Sequence, residues 1–238
     1  MPEKEGDMAK MMTYSWLIPL WPFLSFILLI PFRNMKNHWA PLIGIFFTGL
    51  ALLQSMAAFI KVIPGEPYKG QFLWFSIGEM EIKAGIAIDG LTGFMLLIVS
   101  LIGLLVQIYS VGFMGKDRRL SAYYAYLGLF ISSMLGLVIS ANLVQMYLFW
   151  ELVGLGSFLL IGFYNTKERA KKAAQKAFIM TRIGDAGLLL GILILITQTS
   201  TAEIDVILQK AISGEMPEGT MTLASLLLFI GAIGKSAQ

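Results

Sequence analysis

Seven predominantly apolar stretches constrain this chain more than anything else in its sequence. They run over residues 14–31, 41–60, 91–114, 122–139, 143–164, 173–197 and from 221 to the end. A segment in hydrocarbon must satisfy its backbone hydrogen bonds internally, and covering ~30 Å takes about 20 apolar residues as a helix. The pattern therefore predicts an all-α polytopic membrane protein with about seven transmembrane helices. Composition agrees: 57% of residues are hydrophobic and 14% charged, against roughly 45–50% and about 25% in soluble chains. Mean hydropathy is +0.74. A water-soluble enzyme, a disordered tail and a collagen-like rod are excluded. The first stretch follows an acidic tail (Glu3, Glu5, Asp7) and carries Pro19 and Pro22 without a small-residue cleavage pattern. It is read as a retained span.

The net charge of +3 could be taken for a nucleic-acid footprint, but its distribution argues otherwise. The densest clusters, Lys116, Arg118 and Arg119, then Lys167, Arg169, Lys171, Lys172 and Lys176, sit at the ends of apolar runs without interleaved aromatics. They read as topology signals, and no nucleic acid is expected as a partner. The gaps after spans one, three and five hold ten Lys and Arg, counting Lys176 at the head of span six. The tail and the alternate gaps hold six. Cytoplasmic loops carry the excess, so the N-terminus is expected outside. With no cysteine and a single histidine, His38, no disulfide, thiolate zinc site, cysteine-held iron–sulfur cluster or bis-histidine haem can form within these residues. No cofactor or metal is expected in this chain.

Two gaps are long enough to have structure of their own. Phe72, Leu73, Trp74 and Phe75, then Ile82, Ala84, Ile86 and Ile88 in alternation, flank Gly78 and Glu79 and predict a small external β-hairpin. Asp89 stands where an N-cap for the third span would be. Ser200 and Glu203 read as a capping box ahead of Ile204, Ile207, Leu208 and Ile212, which predict a short helix on the outer membrane surface.

Four ionisable residues fall well inside the predicted spans: Glu151, Arg182, Asp185 and Lys235. Each costs at least ~2.5–3.5 kcal/mol at a helix centre on insertion scales, and their formal charges cancel. Mutual pairing inside a bundle is the natural inference. Arg182 and Asp185, three apart, can pair within one helix. Gly184, Gly187 and Gly191 beside them allow another helix to approach closely. Glu151 and Lys235 lie at mid-span depth, where a carboxylate near a desolvated lysine can move the lysine's protonation across neutrality and so pass a proton. The alternative for both pairs is a structural ion pair that fixes helix register. Gly231, Gly234 and Ser236 around Lys235 predict an interruption in the seventh helix, as in transporters, or else a close-packing glycine face.

Three stretches carry a family resemblance. The run from Asn142 through Phe149, Trp150 and Glu151 to Tyr164 resembles the fifth-helix motif of the antiporter-like membrane subunits of respiratory complex I. The run from Lys176 through Arg182, Gly184 and Asp185 is similar to that family's sixth-helix motif, and Gly231, Gly234, Lys235 and Ser236 to its seventh. Mrp-type antiporter subunits share the Phe-Trp-Glu helix but lack the Arg-x-Gly-Asp arrangement, so the resemblance favours complex I; membrane subunits of energy-converting hydrogenases and of an inorganic-carbon uptake complex are also similar. The resemblance implies that Glu151 is the carboxylate modulating a channel lysine, Lys235 that lysine on a discontinuous helix, and Arg182 and Asp185 a pair that couples charge between subunits. Asp89 also matches a family pattern. It implies a translocase subunit of an NADH:quinone oxidoreductase in an inner or cytoplasmic energy-transducing membrane. The redox chemistry would lie in other membrane-complex subunits, and protons would be the transported ion, with Na+ as the alternative. Residues 1–121 would then hold the tail, three leading helices and the hairpin. Residues 122–238 would hold most of a first half-channel repeat, continuing in a longer protein.

Overall fold

The computed structural model describes residues 14–35, 38–63, 67–78 and 80–236. Glu3, Glu5, Asp7, Glu79 and Gln238 lie outside them. The elements follow the apolar pattern: α1 (Leu17–Leu29) with a 3-10 turn (Ile30–Phe32), α2 (Ala40–Val62), β1 (Tyr68–Ile77), β2 (Met80–Ile88), α3 (Gly90–Met114), α4 (Leu120–Val138), α5 (Leu143–Ile161), α6 (Glu168–Thr199), α7 (Ile204–Ile212) and α8 (Glu218–Ser236). Six helices, α2 to α6 and α8, are long and apolar enough to cross a membrane. The first expected span forms a shorter apolar helix, Leu17–Phe32. The hairpin is a two-stranded sheet turning at Gly78, whose φ of +62° is the left-handed geometry that glycine adopts without steric cost.

The chain divides into two compact units, Met1–Gly70 with Ile86–Ile139 and Gln71–Gly85 with Ser140–Gln238. In the first, α4 is the hub. It packs against α1, α2 and α3, and two-thirds of its apolar window (67%) is buried. Its small residues make this possible. A methyl on Gly128 would meet the Ser25 hydroxyl and stand 2.8 Å from the Pro22 carbonyl oxygen of α1. Ser132 Oγ donates to Pro19 O at 2.8 Å, giving a polar atom on α4 a partner in the proline-containing helix. Asp89 caps α3 as expected, accepting from the Thr92 N–H at 2.7 Å.

In the second unit α6 runs for 32 residues, about 48 Å at 1.5 Å per residue. That exceeds the hydrocarbon thickness, and the excess is its basic first turns. Its apolar face joins Leu143, Ile207, Met216 and Ala224 in one core. The glycine face predicted from sequence is where α8 packs: Gly184 and Gly234 are so close that a methyl on either would lie 3.0 or 2.9 Å from the other's Cα. Two expectations are corrected here. α8 continues unbroken through Gly231, Gly234 and Lys235 to Ser236, so no interruption falls within its described residues; packing against α6 offsets the roughly 1 kcal/mol each glycine costs a helix. Ser200 does not open a capping box. With φ of +56° it ends α6 in the left-handed conformation, and α7 starts after Glu203.

Candidate functional site: four charges on three helices

Helix α5 is positioned at its start by buried amides. Asn142 Oδ1 accepts from the Gln145 N–H at 2.7 Å, capping the helix. The same asparagine donates to the Lys83 carbonyl of β2, and Gln145 Oε1 accepts from the Gly85 N–H at 2.9 Å. Lys83 lies 3.6 Å from Glu203, and Leu143 N donates to Ala202 O at 2.9 Å. The hairpin, the start of α5 and the turn after α6 thus meet at one edge of this unit.

Glu151 is the ninth of nineteen residues in α5. Its carboxylate is held from two sides: Arg182 Nη1 of α6 approaches to 2.5 Å, and the Tyr147 hydroxyl, one turn earlier on α5, donates at 2.7 Å. The Arg182 guanidinium also lies 4.8 Å from the Phe178 ring centroid, a cation–π geometry. Asp185 is 2% exposed. It accepts from the Trp150 indole N–H at 2.7 Å, and its other oxygen has no hydrogen-bond partner among the described residues. Lys235 donates to the Trp150 carbonyl at 3.0 Å and sits 5.4 Å from the centroid of the same ring.

The structure therefore gathers all four sequence-identified charges but pairs them differently. Arg182 reaches across to Glu151 instead of along its own helix to Asp185. Three-residue spacing permits both arrangements. The long guanidinium arm can span to α5, whereas the short aspartate beside it meets the indole. Lys235 forms no ion pair with Glu151 among the described residues; Lys235 and Arg182 both attach to the Trp150–Glu151 segment of α5, Lys235 through the Trp150 main-chain carbonyl and Arg182 through the Glu151 carboxylate.

Trp150 and Tyr147 are site residues that sequence reasoning missed. For Tyr147 the signal was available, since four residues before Glu151 places it on the same helix face. Chemically the cluster can hold protons at Glu151, Asp185 and Lys235 while Arg182 stays charged. Among the described residues no three His, Cys, Asp or Glu side chains gather as a metal's ligand set.

Residues 140–238 match the family described as NADH:quinone oxidoreductase/Mrp antiporter, and residues 74–124 match NADH-ubiquinone oxidoreductase (complex I), chain 5 N-terminus. The first match contains all four charges. NAD(P)H-quinone oxidoreductase subunit 5 of Zygnema circumcarinatum chloroplasts is 40% identical over 97% of this chain. The corresponding chain 5 of Synechocystis sp. is 41% identical over 94%.

The chain belongs to the family of antiporter-like membrane subunits of complex I.

Subunit L, which the helix-six arrangement at Arg182 and Asp185 resembles, and subunit 5 are the same family. The chain spans about a third of the length of these curated relatives (35% in both cases). The fold recurs in solved structures of other complexes. A chain of the Mrp complex from a Dietzia species superposes with a TM-score of 0.78 at 22% identity, over 98% of this chain and 24% of that one. A chain of an archaeal membrane-bound sulfane sulfur reductase gives 0.76 at 15% identity, over 92% and 44%.

Proposed function

We propose that this antiporter-like chain forms the leading part of a proton-translocating membrane subunit of an NADH:quinone oxidoreductase, with electron transfer confined to other subunits. The observation that carries the reading is the convergence of Glu151, Arg182, Asp185 and Lys235, from three helices, on one turn of α5. Isolated charges at such depth are costly, and paired ionisable groups inside a helix bundle are the kind that mark proton and ion pathways. In this reading Lys235 carries the proton, Glu151 sets its affinity, and Arg182 and Asp185 pass electrostatic changes toward neighbouring membrane subunits. The short apolar helix Leu17–Phe32 serves as a seventh crossing, with the N-terminus outside.

A second reading, exchange of Na+ for protons, is favoured by the matched family's inclusion of Mrp antiporters. The test is to place Glu151→Gln and Lys235→Met in the full-length subunit of the assembled complex, reconstituted in proteoliposomes. Proton pumping is expected to fall at least about tenfold with assembly preserved, the scale of losing one proton-transfer group. Pumping at the unmodified rate in both variants would refute the reading. Loss of Na+ transport with intact proton pumping would favour the second one.

A further inference from the structure

The turn of α5 between Trp150 and Gly154 has a feature that neither the carboxylates nor the family match explains. In an α-helix the carbonyl of residue i lies under the side chain of residue i+4, which leans back toward the N-terminus and shields it. At Trp150 that side chain is missing, because position 154 is glycine. Lys235 Nζ occupies the space: it donates to Trp150 O at 3.0 Å, and a methyl group built on Gly154 would stand 2.9 Å from it. Among the described residues, the two flanking residues and α5's own backbone apart, no other atom lies within 4 Å of that position. The glycine is not there to let two helices touch. It leaves room for one ammonium group. A glycine in a helix interior costs about 1 kcal/mol relative to alanine, so this opening is maintained against local preference.

We propose that Gly154 and the Trp150 carbonyl form a seat for the Lys235 ammonium, and that both are positioning residues which keep the lysine off Glu151 and Asp185. The parts are complementary. The carbonyl accepts one ammonium hydrogen, and the indole ring lies 5.4 Å away for a cation–π contact. The same tryptophan's N–H holds Asp185 at 2.7 Å. Trp150 thereby fixes the positions of a cation and an anion through different atoms, while Arg182 and Tyr147 occupy Glu151. The seat holds the lysine by neutral dipoles, from which it can leave without first breaking an ion pair. The use assigned to the seat rests on the proton-transfer reading above; its existence does not.

Gly154→Ala is a narrow test, since the added methyl meets only the flexible tip of Lys235 and alanine favours the helix. In the assembled complex carrying the full-length subunit, acylation of Lys235 by a membrane-permeant amine-reactive ester is read by mass spectrometry. Gly154→Ala is expected to speed it at least about fivefold, because the displaced amine loses its cover; an unchanged rate would overturn the seat. Proton pumping is then compared across the cycle of Gly154→Ala, Lys235→Met and both together. Gly154→Ala is expected to lower pumping at least about fivefold when Lys235 is present and to add nothing once it is Met. An equal fold-loss in both backgrounds would assign Gly154 a purely structural part. Unaltered pumping in Lys235→Met would refute the proton-transfer reading, leaving the labelling result to decide the seat.

Discussion

Buried polar groups in the first unit and in the second are satisfied in opposite ways. Among the helices around α4, several buried hydroxyls turn back onto their own backbone: Ser55 to Ala51 O, Ser100 to Leu96 O and Ser133 to Leu129 O, each at 2.7 or 2.8 Å. Such bonds need no second helix and impose little on its position. Around α5 the polar groups are charged, and they bond between helices: Glu151 to Arg182, Trp150 to Asp185, Lys235 to the Trp150 carbonyl. Each depends on the placement of two elements, so moving one group alters the electrostatic surroundings of the rest. The first pattern suits a scaffold and the second a device whose parts respond to one another.

The largest effect that separates the two units is steric. Gly128→Leu drives a side chain into the Ser25 hydroxyl and the Pro22 carbonyl, and overpacking of this kind against backbone is expected to prevent incorporation of the subunit into the complex. Native electrophoresis would show it, and an assembled complex would contradict the role of α4 as hub. Arg182→Ala should come next. It removes the ionic partner of Glu151 while leaving the helix a good helix former, so assembly persists and pumping drops about tenfold. Ser133→Ala, its counterpart in the first unit, should leave pumping within about twofold. Equal losses in the two variants would erase the contrast.

The smallest effect is at the cap of α3. The Thr92 backbone N–H bonded to Asp89 holds that carboxyl below its ordinary value of 3.8. A carboxyl whose pKa is lowered by folding contributes stability above its unfolded value and loses it as pH falls through the lowered one. Asp89→Ala should therefore cost about 1 kcal/mol at neutral pH. The difference from the unmodified protein should shrink as the solution is taken below 3.8. Thermal unfolding of the detergent-solubilised complex across that range would measure it.

Particular elements show where sequence reasoning reached and where it stopped. The Asp89 cap, the hairpin and the glycine face of α6 were legible because each depends on neighbours within a few residues or on one helix period. Ser200 was misread because its spacing to Glu203 fits a cap, yet the preceding helix runs to Thr199 and claims Ser200 for its own end. The interruption expected in α8 does not fall within its described residues for a similar reason: glycines that are weak helix formers in isolation are held helical by the face of α6.

The sequence alone determined that this is a multi-pass membrane chain and which four charged residues fall within its apolar stretches, since hydropathy and the cost of burying a charge are properties of residue type. It also contained the motifs that assign the family. Only the tertiary structure decided who pairs with whom. That Glu151 takes Arg182, that Asp185 takes an indole, and that Lys235 rests on a carbonyl uncovered by Gly154 depend on the rotation and height of α6 and α8 about α5. The close seating of α8 on α6 at Gly184, Gly187, Gly191, Gly231 and Gly234 contributes to that placement, and no local spacing rule encodes it.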